Sequence, residues 1–313
     1  MVRIAYLGPE GTFTEAALIQ MVAGDMVPGC SPQAWQPLPA ENTPAALQAV
    51  RDGAADFACV PIENSIEGSV LPTLDSLAIG PPLQVFAELA LDVAFSIVVR
   101  PGNTASDVRT VAAFPVAAAQ VRRWLSEQLP ETDLVPANSN AAAARDVAEG
   151  RADAAVTTAL AAEHHRLAVL ADGVVDEPNA RTRFVLVGRP GPPPVRSGAD
   201  RTSVVLRIEN APGALVSALT EFGIRGIDLT RIESRPTRVE LGTYVFFLDC
   251  VGHIDDRVVA EGLTALRRRC ADVRYLGSWP TGSATGAVPP QVDEASRWLA
   301  RLREGNPGRE SGA

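Results

Sequence analysis

The sequence predicts a mixed α/β protein: two α/β lobes facing each other across a cleft, followed by a separately folded α+β unit. Three observations carry this expectation. Residues 61–70, Pro-Ile-Glu-Asn-Ser-Ile-Glu-Gly-Ser-Val, follow the apolar run at 57–60 and precede a stretch at 70–77 with helical apolar spacing, which marks a strand-to-helix turn. In an open α/β sheet such turns lie at the carboxyl ends of strands, beside the ligand crevice. Residues 50–58 and 148–155 form a faint internal repeat in which Gly53 matches Gly150 and Asp56 matches Asp153. In both places an Ala-rich helix ends at glycine and an Asp starts an apolar strand, as expected for two lobes of similar construction. Finally, residues 189–200 hold Pro190, Pro192, Pro193 and Pro194 without apolar periodicity, an extended linker. The pattern beyond it has the order βαββαβ, a ferredoxin-like sandwich.

Composition narrows the class of partner. A chain of 313 residues with 46% hydrophobic content can bury more than one core. The net charge of −9, without any Lys/Arg-rich run, argues against a nucleic-acid or anionic-membrane surface and for a small-molecule partner. Met1 leads straight into a strand with no apolar signal core, and no run approaches ~18 apolar residues, so the expectation is a cytoplasmic protein without membrane contact. Cys30, Cys59, Cys250 and Cys270 lack zinc or redox spacing, and none of His164, His165 and His253 has ligand-spaced neighbours. No metal is expected.

Taken in order, residues 2–7 read as a buried strand, and Gly8-Pro9-Glu10-Gly11 as a turn into a helix. Thr12 and Glu15 have capping-box spacing, and the helix start is also a candidate anion site. Thr43-Pro44 opens a helix ending at Gly53. Residues 83–91 and 93–99 have strand composition, and there the chain crosses to the second lobe. That lobe reads as a helix at 117–129, a Ser139-capped helix at 140–149, and a helix followed by a strand over 160–170. A polar cluster at 176–183 runs into a buried strand, placing Thr182 and Arg183 at the strand's edge. After the linker come a strand at 202–208, a helix at 213–223, strands at 227–234 and 242–251, a helix at 255–269 and a strand at 273–276. A second Pro/Gly/Ser linker follows Trp279, and residues 291–303 read as a short amphipathic helix.

The chemistry concentrates at Glu63, Asn64 and Ser65, where a carboxylate, an amide and a hydroxyl in succession can orient a polar, charged small molecule. A capped turn that satisfies its own backbone with Asn64 and Ser65 is the simpler alternative.

Residues 6–13 (Tyr-Leu-Gly-Pro-Glu-Gly-Thr-Phe), Pro61-Ile62-Glu63-Asn64-Ser65 with Glu67-Gly68, and Thr182-Arg183-Phe184 occur in the order and spacing of prephenate dehydratase, and over residues 2–188 the chain resembles a monofunctional member of that family. Asn210-Ala211-Pro212-Gly213-Ala214-Leu215 and Glu233-Ser234-Arg235-Pro236 resemble the effector motifs of ACT regulatory domains. Two departures stand out. Ala113-Phe114-Pro115 replaces Ser-His-Pro, and two residues rather than one separate Asn179 from Thr182.

The resemblance implies a periplasmic-binding-protein-like catalytic domain over residues 1–188, a linker at 189–201, an ACT domain at 202–279 and a tail at 280–313. It implies conversion of prephenate to phenylpyruvate in L-phenylalanine biosynthesis, with no cofactor because aromatisation drives the reaction. Thr182, Asn64 and Gln120 are the expected catalytic residues. Thr12, Glu63, Ser65, Ser139, Arg183 and Phe184 are expected to bind substrate. L-phenylalanine is the expected effector, held at Asn210, Pro212, Gly213, Ala214, Leu215, Glu233, Ser234, Arg235 and Pro236 in a homodimer or homotetramer assembled through ACT domains. Arogenate is the alternative substrate, and a two-lobed amino-acid sensor without catalysis is the competing class.

Overall fold

The computed structural model describes residues 1–177, 179–240, 242–282 and 294–305, and the chain divides into two compact units, Met1–Pro192 and Pro193–Ala313. The first unit opens with β1 (Val2–Leu7), α1 (Phe13–Ala23), β2 (Trp35–Ala40), α2 (Thr43–Arg51), β3 (Phe57–Asn64), β4 (Gly68–Ser69), α3 (Leu71–Ala78) and β5 (Gln84–Asp92). The chain then crosses into β6 (Phe95–Val99), β7 (Thr110–Ala113), α4 (Pro115–Gln120), α5 (Arg122–Gln128), β8 (Asp133–Pro136), α6 (Asn140–Ala148), β9 (Ala154–Thr157), α7 (Ala159–His164) and β10 (Ala168–Val174). It returns through β11 (Arg181–Gly188).

Two sheets result, ordered β2-β1-β3-β11-β5 and β8-β7-β9-β6-β10. In each, three parallel strands are followed by two antiparallel ones, and the fourth strand is the first that the chain lays down after leaving the other lobe. The repeat is therefore structural. Gly53 and Gly150 both adopt left-handed backbone, at φ +74° and +76°. Asp56 accepts from the Arg3 amide at 2.8 Å, and Asp153 from the Arg109 and Thr110 amides at 3.1 and 3.0 Å. An arginine closes each turn: Arg189 Nη1 donates to the carbonyls of Val50 and Ala55, and Arg100 Nη1 to those of Val147 and Ala152.

Three expectations need adjustment. Residues 61–64 belong to strand β3 itself, leaving only residues 65–67 to turn into β4. The helix expected over 117–129 is two helices broken at Val121. Asp176 causes the break: its amide donates to Gln120 O at 2.7 Å while its carboxylate accepts from the Arg123 amide at 2.8 Å. Phe184 lies in the first lobe's core with Tyr6, Leu18 and Leu186, so it packs rather than faces a cleft.

The second unit holds β12 (Asp200–Arg207), α8 (Ala214–Gly223), β13 (Leu229–Pro236), β14 (Tyr244–Val251), α9 (Arg257–Arg269) and β15 (Asp272–Pro280), with the antiparallel order β13-β14-β12-β15. Val204, Leu206, Leu248 and Cys250 from one sheet face pack with Ala218, Phe222, Val259 and Leu266 of the two helices. This is the βαββαβ sandwich. Strand β12 starts at Asp200, inside the segment read as linker. Helix α10 spans Glu294–Arg303; residues 291–293 and most of the linker expected after Trp279 lie outside the described residues. Among the described residues no helix is long and apolar enough to cross a membrane.

Candidate functional site

Strand register brings Asn64 and Thr182 together. The two are paired across β3 and β11, at the carboxyl end of one strand and the start of the other. Asn64 Oδ1 accepts from the amides of Ile66 and Glu67 at 2.8 and 3.0 Å, which fixes the carboxamide orientation. Its Nδ2 then points to Thr182 Oγ1 at 2.8 Å. Because nitrogen is the donor in that contact, the threonine oxygen accepts and its own proton is left to donate elsewhere.

Neighbouring side chains hold this pair in place. Ser65 Oγ donates to Asn179 O at 3.0 Å and accepts from the Arg181 amide at 2.9 Å, tying the turn to the returning chain. Arg183 bridges Glu63 at 2.8 Å and Glu88 at 3.2 Å and is only 10% exposed. A guanidinium matched by two carboxylates is poorly placed to bind a further anion. Ser65 and Arg183 were expected to touch substrate; the structure commits both to the protein itself.

A cavity of about 450 Å³ opens between the lobes, lined by Leu7 to Pro9, Thr12 to Thr14 and Glu41 from one side and by Phe114, Asn138 to Asn140, Ala142 and Arg145 from the other. Thr12 caps α1, accepting from the Glu15 amide at 3.3 Å and donating to Leu7 O at 3.1 Å. Ser139 caps α6, accepting from the Ala142 amide at 3.0 Å. Two helix N-termini thus meet one cavity, each with first-turn amides and a favourable dipole for an anion. The lobes touch beside it, where Thr158 Oγ1 donates to Gly11 O at 2.6 Å. Asn64, Thr182 and Gln120 are not among the lining residues. Gln120 is 8% exposed at the end of α4, and its Oε1 is buried with no hydrogen-bond partner among the described residues. Glu41, Asn138, Asn140 and Arg145 escaped the sequence reading. The run Asn138-Ser139-Asn140 before an Ala-rich helix was the available signal for two of them.

In the second unit a cavity of about 240 Å³ is lined by residues 208–211, 213–216 and 242–244 and by Phe246. It gathers Asn210, Gly213, Ala214 and Leu215. Pro212 and Glu233 to Pro236 are not among its lining residues, the latter lying on edge strand β13. Gly213 holds the helix start at φ +77°, and a Cβ there would meet open space. No group of three or more His, Cys, Asp or Glu that could hold a metal occurs among the described residues.

Two lobes of matching topology around an anion-suited cleft, followed by a βαββαβ sandwich, define a two-lobed α/β protein with a C-terminal α+β unit. The family model for prephenate dehydratase matches residues 4–192, and that for the ACT domain residues 202–268. The chain is 76% identical over 307 residues to prephenate dehydratase of Mycobacterium tuberculosis (strain H37Rv), covering 98% of this chain and 96% of that one. It is 42% identical, with a TM-score of 0.86, to a crystal structure of prephenate dehydratase in complex with L-Phe from Arthrobacter aurescens, covering 97% and 98% of the two chains. A structure described as GqqA, a novel type of quorum-quenching acylase, matches with a TM-score of 0.77 and 31% identity over 89% of this chain and 98% of that one. The chain belongs to the prephenate dehydratase family: it is a lyase acting on prephenate and carries a C-terminal ACT domain.

Proposed function

We propose that Thr182 is the hydrogen-bond donor to the departing hydroxyl when this enzyme converts prephenate to phenylpyruvate in L-phenylalanine biosynthesis. In that reaction the ring carboxylate leaves as carbon dioxide, its bonding electron pair enters the ring, and hydroxide departs from the opposite carbon. Aromatisation drives it. The protein must hold a dianion and ease the loss of a poor leaving group, and a positioned donor where charge develops serves the second need. Threonine is too weak an acid to transfer its proton outright. The Asn64 Nδ2 contact to Thr182 Oγ1 at 2.8 Å carries this reading, because it leaves the hydroxyl proton free to donate to another acceptor. Asn64 is then a positioning residue, and Glu63 with Glu88 positions Arg183 beneath the motif. The helix N-termini at Thr12 and Ser139 receive the carboxylates, and Gln120 supplies a further amide from the second lobe.

The same reading gives the ACT domain a regulatory role in a cytoplasmic homo-oligomer. L-phenylalanine binds at Asn210, Gly213, Ala214 and Leu215, and a neighbouring subunit brings up Pro212 and Glu233 to Pro236. The Arthrobacter relative was solved with L-Phe, and the cavity at the start of α8 suits a single amino acid. Adding prephenate to purified protein and following phenylpyruvate absorbance tests the reaction, with arogenate as the parallel substrate and its product, phenylalanine, read by chromatography. Absence of product from both would sink it.

A further inference from the structure

We infer that Arg145 is the cation that binds the pyruvyl carboxylate of the substrate, a role that rests on the prephenate reading of the cleft. The arginine supplied by the Thr-Arg-Phe motif is already matched by Glu63 and Glu88. Most other arginines of the first unit are also engaged: Arg3 with Asp56, Arg100 with Asp153, Arg123 with Asp176, Arg151 with Asp146 and Arg181 with Asp92.

Arg145 differs in position and in pairing. Its guanidinium has no hydrogen bond or ion pair among the described residues, and it lines both the 450 Å³ cavity and an adjoining one of about 330 Å³ bounded by Pro9, Glu10, Pro39, Ala141 and His165. On α6 it follows Ala141 and Ala142 by four and three residues, so these share a face and the small alanines leave the guanidinium open to the cleft. The other titratable groups facing the two cavities are Glu10, Glu41 and His165. Burial, then His164 and Arg145, push His165 below the usual imidazole range. At neutral pH the histidine is therefore uncharged, and Arg145 is the positive side chain available to a dianion entering past two glutamates.

Chemistry decides which carboxylate it takes. A full guanidinium charge on the ring carboxylate would stabilise the charge that decarboxylation removes more strongly than the partial charge of a helix N-terminus does, and so raise the barrier. The pyruvyl carboxylate keeps its charge throughout and is retained in the product. A bidentate contact there lowers KM without opposing the chemical step.

The test compares Arg145→Gln, Arg145→Lys and the control Arg122→Gln with the parent enzyme, reading kcat, KM for prephenate and the inhibition constant of phenylpyruvate. Arg145→Gln is expected to raise KM and the product's inhibition constant together, by about 10- to 100-fold, while kcat falls less than about threefold. Arg145→Lys, which keeps the charge but loses the fork, should fall between. Arg122→Gln, with the same change in net charge, should leave all three constants unchanged. A raised KM with unchanged product inhibition would overturn the assignment to the pyruvyl carboxylate. Unchanged constants in Arg145→Gln, or equal effects in Arg122→Gln, would overturn the role altogether. If the parent enzyme itself releases no phenylpyruvate, the reading of the cleft fails instead.

Discussion

At the level of single residues, the Asn64 and Thr182 contact gives two linked predictions. Thr182→Ala should lower kcat by at least ~10²-fold, the scale of losing a positioned donor, with little change in KM. Near-normal turnover in steady-state assays would remove Thr182 from the mechanism. Asn64→Asp keeps the two amide contacts from Ile66 and Glu67 but turns the remaining donor into an acceptor. The Thr182 hydroxyl would then rotate to donate to the new carboxylate and would no longer be free to donate to substrate. At pH 7.5 kcat should fall about as far as in Thr182→Ala, and the double variant should be no worse than the worse single one. Multiplicative losses in that cycle would show that the two residues act independently. The motif made Glu63, Asn64, Thr182 and Arg183 legible from sequence. What each side chain does was not, because the partners Glu88 and Asn179 enter from other strands and turns. Arg145 carried no motif at all.

Among the elements, the lobe repeat was legible from two glycines and two aspartates, because a helix stop and a strand start are local signals. The break at Val121 was not legible, since Asp176, which causes it, lies 53 residues beyond Arg123. Nor was the strand character of residues 61–64, which comes from pairing with β11 far along the chain. Asp56 offers a stability test of the repeat. The Arg3 side chain, then its amide, hold the Asp56 carboxyl below its usual range. A carboxyl lowered by folding contributes fully above its unfolded value near ~3.9 and loses that contribution as pH falls through the lower folded value. Asp56→Asn should therefore cost about 1–2 kcal/mol at pH 7, and the gap to the parent should close in melts below about pH 4. A gap independent of pH would mean that the charge is not what stabilises the turn. Gly11 tests the lobe contact: at φ +85° an added Cβ would lie 2.8 Å from the Ala161 Cβ in the opposite lobe. Gly11→Ala should lower both the melting temperature and kcat/KM; an unaltered enzyme would show that this contact does not set the cleft.

For the whole molecule, the boundary between the two compact units, Pro192 to Pro193, falls in the proline run, and β12 begins at Asp200. The arrangement of the effector residues was less legible: the motifs suggest one site, whereas a single chain gathers the first motif without Pro212 into its cavity and leaves the second on edge strand β13. The proposed site between neighbouring subunits would make any phenylalanine response depend on assembly. An inhibitor acting there must bind the low-activity arrangement more tightly, and tenfold inhibition needs only ~1.4 kcal/mol of coupling. Since Met1–Pro192 is compact by itself, a chain ending at residue 192 should retain some turnover and lose the response to phenylalanine. Gly213→Leu would also fill the cavity, but at φ +77° it adds backbone strain. Ala214→Phe fills the same space from the first residue of α8 without that penalty, so in the full-length enzyme it should preserve kcat and raise the phenylalanine concentration for half-inhibition at least ~10-fold. Dose curves for the parent, the shortened chain and Ala214→Phe, run beside sedimentation at each concentration, decide the matter. If both variants stay active and are inhibited like the parent, the effector site lies outside the ACT cavity.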